Sequence, residues 1–167
     1  AVVRTTMDEL FGSDPRLIKV PAGTGLPLDG LRLANYRHTG DGTPPKRLKV
    51  SQTKLQDGGY SLYRTHCLHC HGVSGDGNGP TAPYLYPRPR DFRNGLFKFT
   101  STPNGAKPTR EDLRKTLLYG LHGTSMPSFE TLMSRDQIEQ VLDYLIYLSQ
   151  RGETELALIS EIDGAGV

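Results

Sequence analysis

Apolar residues recur at helical spacing in three parts of the chain, and the stretches between them show no sustained period. The clearest case follows Ser134, where Ile138, Val141, Leu142, Leu145 and Leu148 form one stripe flanked by Tyr144 and Tyr147. Ser134 and Gln137 predict a capping box at its start, and Arg151-Gly152 predicts its end. A second helix is predicted from Thr109, which Asp112 can partner as an acidic capping box, with Leu113, Leu117, Leu118 and Leu121 as buried stripe. Gly120 after Tyr119 is its expected terminator. A third is expected from about Lys54 to Cys70, with Gly59, Tyr63 and Cys67 spaced four apart on one face. A glycine on that face lets another helix approach closely, so the last helix could cross here. Gly58-Gly59 also reads simply as a helix start.

Residues 1–50 carry Pro15, Pro21, Pro27, Pro44 and Pro45 with six glycines, and are expected to form an extended arm or linker. Leu10, Phe11, Leu17, Ile18, Val20 and Leu26 are among the apolar residues with which it can pack against the rest. His38 lies in this arm and reads as a surface residue, with a distant ligand role as the alternative. Residues 51–151 are expected to form the single domain, and residues 152–167 an acidic tail with one frayed helix. Across the whole chain, 35% hydrophobic residues, no Trp, 19 Gly and 12 Pro describe a modest core with much irregular backbone.

Cys67-Leu68-His69-Cys70-His71 is a C-x-x-C-H motif, the attachment signal for a c-type haem. Two thiols at that spacing can each add across one haem vinyl group, and the imidazole that follows is then held beneath the iron. Zinc and dithiol redox sites also use C-x-x-C. A zinc site wants two clustered ligand pairs, yet there is no third cysteine, and His38 and His122 stand alone in the sequence. A dithiol centre belongs beside a βαβ pattern, and no convincing parallel-strand run is present. The expected cofactor is therefore one haem c with its iron, covalent through Cys67 and Cys70, with His71 as first axial ligand. Tyr63, one turn before Cys67, is expected to cover either the haem edge or the helix crossing. His66 and His69 are not needed for attachment and read as exposed polar residues.

The segment Gly72 to Pro80 is rich enough in glycine to be loop. The second ring nitrogen of His71 needs an acceptor, and the carbonyl of Pro80, at the end of that loop, is the candidate. In Tyr86-Pro87-Arg88-Pro89-Arg90 alternating prolines hold the chain extended, which offers Arg88 or Arg90 to a haem propionate, with plain surface charge as the alternative. Phe92, Phe97 and Phe99 are expected in the core or lining a haem pocket. Gly123-Thr124-Ser125-Met126-Pro127 is a loop in which a thioether is held between glycine and proline, so Met126 is the expected second axial ligand. Met7 lies in the arm, and Met133 suits an apolar filler role before the last helix. His122 is the other possible distal ligand.

Charge is uneven along the chain. Residues 51–128 carry ten Lys or Arg against five Asp or Glu, whereas residues 129–167 carry two against eight. A basic surface round a redox centre can steer an acidic partner, although solvated faces would look the same. No basic block or motif suggests nucleic-acid binding. No apolar run is long enough to span a bilayer, and Ala1-Val2-Val3-Arg4 lacks the apolar stretch of a signal peptide.

The order G-x-x-x-Y-x-x-x-C-x-x-C-H-G, a glycine loop ending Gly79-Pro80, G-T-S-M-P and a closing amphipathic helix resembles class I cytochrome c over about residues 54–151. The longer stretch from Tyr86 to Thr102 looks like that of mono-haem cytochrome subunits or domains of bacterial respiratory complexes. The resemblance implies a small all-α fold in which first and last helices cross and a haem is inserted edge-outward. It implies outer-sphere electron transfer between redox protein partners of a bacterial respiratory chain, by an electron carrier or electron-transfer subunit and not an enzyme. It further implies a periplasmic setting or the outer face of the cytoplasmic membrane. Membrane association would come only through a removed anchor or a partner subunit, within a larger respiratory complex or alone. The alternative is a haem enzyme or gas sensor whose sixth ligand is labile.

Overall fold

The structure is a computed structural model that describes residues 1–13, 18–26 and 58–165. Those residues are helical and irregular, with no strand among them. The elements are α1 (Val2–Phe11), α2 (Gly59–His66), α3 (Leu68–His71), a short 3-10 turn (Ala82–Tyr84), α4 (Arg110–Tyr119) and α5 (Arg135–Gly164). The fold is thus all-α.

Helix α5 is the spine against which α1, α2 and α4 pack. It starts where expected, because Ser134 Oγ accepts from the Gln137 N–H while Gln137 Oε1 accepts from the Ser134 N–H. Its stripe of Ile138, Val141, Leu142, Leu145 and Leu148 is buried throughout. Helix α4 carries the other expected capping box, Thr109 with Asp112, and ends at Gly120, whose φ of 68° favours glycine.

Helices α2 and α5 cross at Gly59. A Cβ there would stand 2.7 Å from Tyr144 Cβ and against the Gln140 carbonyl, so only glycine permits this approach. Gly58 is the N-cap of the same helix, so the glycine pair both starts α2 and seats it. Tyr63 covers the crossing, its ring centroid 5.3 Å from that of Tyr144, and its hydroxyl donates to the Gly72 carbonyl at 2.7 Å.

Three expectations are corrected. The last helix does not end near Arg151-Gly152 but runs to Gly164, and its residues after 152 are no separate frayed piece. Gly152 is a packing glycine, where a Cβ would stand 2.5 Å from Arg93 Cα. The helix expected to run to Cys70 breaks at Cys67, which separates α2 from α3; its proposed start, residues 54–57, lies outside the described residues. The arm expected to be extended opens with α1, because Val3, Met7 and Phe11 recur every fourth residue and have α5 to pack against. Phe11 meets the Tyr147 ring edge-on at 5.8 Å, and its carbonyl accepts from the Tyr147 hydroxyl at 3.0 Å. Burial pushes that phenol up to about 12, so it stays a donor. Residues 18–26 are irregular, and Gln150 Nε2 ties them to α5 by donating to the Thr24 carbonyl at 2.9 Å. His38 lies outside the described residues.

Candidate functional site

The site begins with α3, the single turn that carries the last residues of the C-x-x-C-H motif. Its carbonyls would be orphaned at so short a helix end, and the glycine loop answers them. The Gly77 N–H donates to the His71 carbonyl at 2.9 Å, the Gly79 N–H to Cys70 at 3.1 Å and the Thr81 N–H to His69 at 2.9 Å. Gly79 must be glycine, because a Cβ would lie 2.5 Å from the Leu68 oxygen. The Cys70 sulfur lies 3.3 Å from Thr81 Oγ1, and Cys67 is buried. Burial, with Cys70 next to it, pushes the free Cys67 thiol up to about 12.

His71 Nδ1 lies 3.2 Å from the Arg90 carbonyl, and its ring stacks on Phe92 with centroids 4.5 Å apart. The expected acceptor, the Pro80 carbonyl, is therefore replaced by that of Arg90. Pro80 is exposed and lines no part of the cavity described below. The physical reason is the loop's return path: Gly75 and Phe92 are joined backbone to backbone at 2.6 Å, which brings the 90–92 segment under the imidazole. Burial lowers the pKa of His71 below its usual value, with the Arg90 carbonyl opposing, which favours the neutral, metal-binding form.

These groups line a mainly apolar cavity of about 660 Å³, within the roughly 300–1,000 Å³ of small-molecule and cofactor sites. Cys67, Cys70, His71, Met126, Arg88 and Arg90 all border it. Met126 stands on the loop after α4. Its N–H donates to Thr124 Oγ1 at 3.1 Å, and its carbonyl accepts from the Leu121 N–H at 3.1 Å. Gly120 makes that fold-back possible, since a Cβ would stand 2.6 Å from the Met126 oxygen. Met7 and Met133 are instead buried in the core, and His122 is exposed and borders none of the cavity.

The sequence reading missed part of the lining. His66, expected as an exposed polar residue, is half-buried edge-on to Phe129 at 6.2 Å and borders the cavity. Its place one residue before Cys67 was the available signal. Lys98 adds a third cation beside Arg88 and Arg90. Among the described residues no group of three or more His, Cys, Asp or Glu is placed to hold a metal, as a zinc site would need. No helix of the described residues is long and apolar enough to cross a membrane.

An apolar cavity lined by two cysteines, a histidine oriented from behind and a methionine fits a haem c and its iron. The comparisons agree. No curated protein sequence matches the chain. Among solved structures, the Kuenenia stuttgartiensis reducing HAO-like protein complex Kustc0457/Kustc0458 is similar, with TM-score 0.53 and 34% identity. That match covers 55% of this chain and 41% of the other, so the chain spans well under half of its neighbour's length. The model for cytochrome C oxidase, cbb3-type, subunit III matches residues 54–145, more than half of the sequence. By this match, and with its lone C-x-x-C-H, the chain belongs to that family, as a mono-haem c-type cytochrome.

Proposed function

We propose that the chain is an electron carrier or electron-transfer subunit, not an enzyme, whose haem c is bound covalently by Cys67 and Cys70 and ligated by His71 and Met126. One observation carries this reading: of three methionines, Met126 alone borders the cavity that His71 borders. When bound, the haem supplies an Fe(III)/Fe(II) couple whose potential answers to its axial ligands, its burial and nearby hydrogen bonds. The chain's own residues keep the ligands still. Arg90 and Phe92 orient the imidazole, and Thr124 and Leu121 hold the backbone of Met126. Little then moves on electron transfer, and no place is left for a substrate at the metal. Arg88 and Arg90 are assigned to the propionates, whose enclosed charge a guanidinium offsets.

The partners are redox proteins, and the occurrence of a similar structure in a protein complex supports work within an assembly. The setting is a bacterial respiratory chain on the periplasmic side or outer membrane face, with membrane contact through an anchor or a partner subunit. The test compares optical spectra of the holoprotein and Met126→Ala. Low-spin haem c bands with a weak far-red sulfur-to-iron band are expected in the oxidised wild type. The variant should lose the far-red band, bind CO rapidly when reduced and show a lower potential. Persistence of that band in Met126→Ala would overturn the ligand assignment. Rapid stoichiometric CO binding by the wild type would favour a haem enzyme or sensor with a labile sixth ligand.

A further inference from the structure

The loop that carries Met126 is tied back to the last turn of α4 and to the residues just after it, by backbone and side chain. The Phe129 N–H donates to the Leu117 carbonyl at 3.0 Å, Ser128 Oγ to the Leu118 carbonyl at 2.5 Å and the Leu121 N–H to Met126 at 3.1 Å. Wherever α4 stands, Met126 stands with it. What locates α4 is only partly apolar, because Leu113 and Leu117, its buried residues, also border the cavity.

The remaining grip on α5 is ionic. Arg110 Nη1 lies 2.7 Å from Asp143 Oδ1, and its Nε and Nη2 donate to Glu139 Oε2 at 2.9 and 2.8 Å. Nη2 also reaches the Glu139 carbonyl at 3.2 Å. Arg114 Nε takes the other carboxylate oxygen of Glu139 at 2.5 Å and also pairs with Glu111. Two successive turns of α4 thus hold two successive turns of α5 through a guanidinium fork and a shared carboxylate. The Asp143 side chain is only 4% accessible.

Only Asp143 of this cluster is buried, with Arg110 and Glu139 part-accessible, and burying a charge makes an ion pair a poor source of net stability compared with apolar packing. Its distinctive property is direction: the planar guanidinium of Arg110 donates to two carboxylates in a fixed geometry, whereas leucine against leucine can slide. An ion cluster at this place suits a helix whose position, more than its mere attachment, matters.

We propose that Arg110, Glu139 and Asp143 are positioning residues for Met126, fixing through α4 where the thioether stands in the cavity. The inference rests on the His71/Met126 reading. Losing the cluster should let α4 shift while the covalent thioether links retain the haem, so the sixth position opens in a protein that is still folded and coloured.

The test uses the holoprotein with Arg110→Gln and, separately, the near-isosteric Glu139→Gln, which keeps the side-chain shape should the first variant fold poorly. Tyr147→Phe, which removes a buried hydrogen bond on the α1 side, reports general destabilisation. Both cluster variants are expected to lose much of the far-red band. Their reduced forms should capture CO about tenfold faster than wild type, in proportion to the population with an open position. Tyr147→Phe should change neither. A wild-type far-red band that survives both cluster substitutions with unchanged CO capture overturns the inference alone. Equal losses in all three variants also overturn it, by making the effect one of stability. A wild type without the band overturns the Met126 reading and this inference with it.

Discussion

His71 and Phe92 form a stacked pair, their ring centroids 4.5 Å apart and their planes 22° from parallel. Phe92 is itself fixed from two sides. It stacks on Phe97 at 5.7 Å, and its carbonyl accepts from Ser149 Oγ on α5 at 2.6 Å. The His71 imidazole is thereby registered against the last helix, although α3 has little contact of its own with it. With Nδ1 facing the Arg90 carbonyl, the ring has its plane set by Phe92 and its rotation set by a hydrogen-bond acceptor.

Replacing Phe92 with Leu keeps an apolar filler but removes the stacked face. Stability should fall by about 1–2 kcal/mol, between the costs of a conservative swap and of truncation to alanine. The potential should shift as the imidazole gains freedom. Guanidine denaturation and redox titration of the holoprotein check this, and a variant identical to wild type in both would show that Phe92 is filler only.

Gly59→Ala should cost about 1–3 kcal/mol, because the added methyl meets the α5 backbone where the helices cross. Gly164→Ala is the matched control, since nothing lies within 4 Å of a Cβ at that helix end. A Gly59→Ala protein as stable as the control would place the crossing elsewhere.

Hydrogen bonds from Arg114, then Arg110, hold the Glu139 carboxyl down to about 2 against a usual 4.5. The folded protein thus binds this proton less readily than the unfolded chain. The resulting stabilisation is complete above about 4.5 and is lost as pH falls toward about 2. Glu139→Gln lacks that component, so it should lose less stability than wild type between about pH 5 and about pH 3. Parallel losses in the two proteins would assign acid sensitivity to other groups.

Arg88→Gln and Arg90→Gln each remove a cation from the cavity edge, where positive charge favours the reduced, less positive iron. Each should lower the potential by up to about 60 mV, the one-electron equivalent of a tenfold change in equilibrium constant. The pH dependence of the potential should change with it if a propionate is the partner. Arg90→Gln leaves the backbone carbonyl opposite His71 in place, so any effect belongs to the guanidinium. Unaltered potentials in both variants would leave these arginines as surface charge.

The attachment motif, both capping boxes, the Gly120 terminator and the apolar stripe of α5 were legible in the sequence because each is written in neighbouring residues or one helical repeat, whereas of the stripe expected for α4 only Leu113 and Leu117 are buried and Leu121 lies beyond the helix. Gly59 was legible for the same reason: its spacing with Tyr63 and Cys67 marks a face. Gly152 was not, because nothing local separates a glycine that ends a helix from one that admits Arg93. The register of α1 on α5 was obscured by the prolines and glycines that follow it.

The chain by itself determined the class of cofactor, through the C-x-x-C-H motif of Cys67, Cys70 and His71, and the short list of methionines and histidines that could serve as a second ligand. Only the tertiary structure decided which carbonyl faces the imidazole, which methionine borders the cavity, and that Arg110 reaches Asp143 across two helices. A backbone carbonyl has the same chemistry at every position, so its partner is chosen by the path of the loop. Contacts between helices depend on where distant segments meet, and neither Pro80 nor Arg90 carries in its identity which of them lies beneath His71.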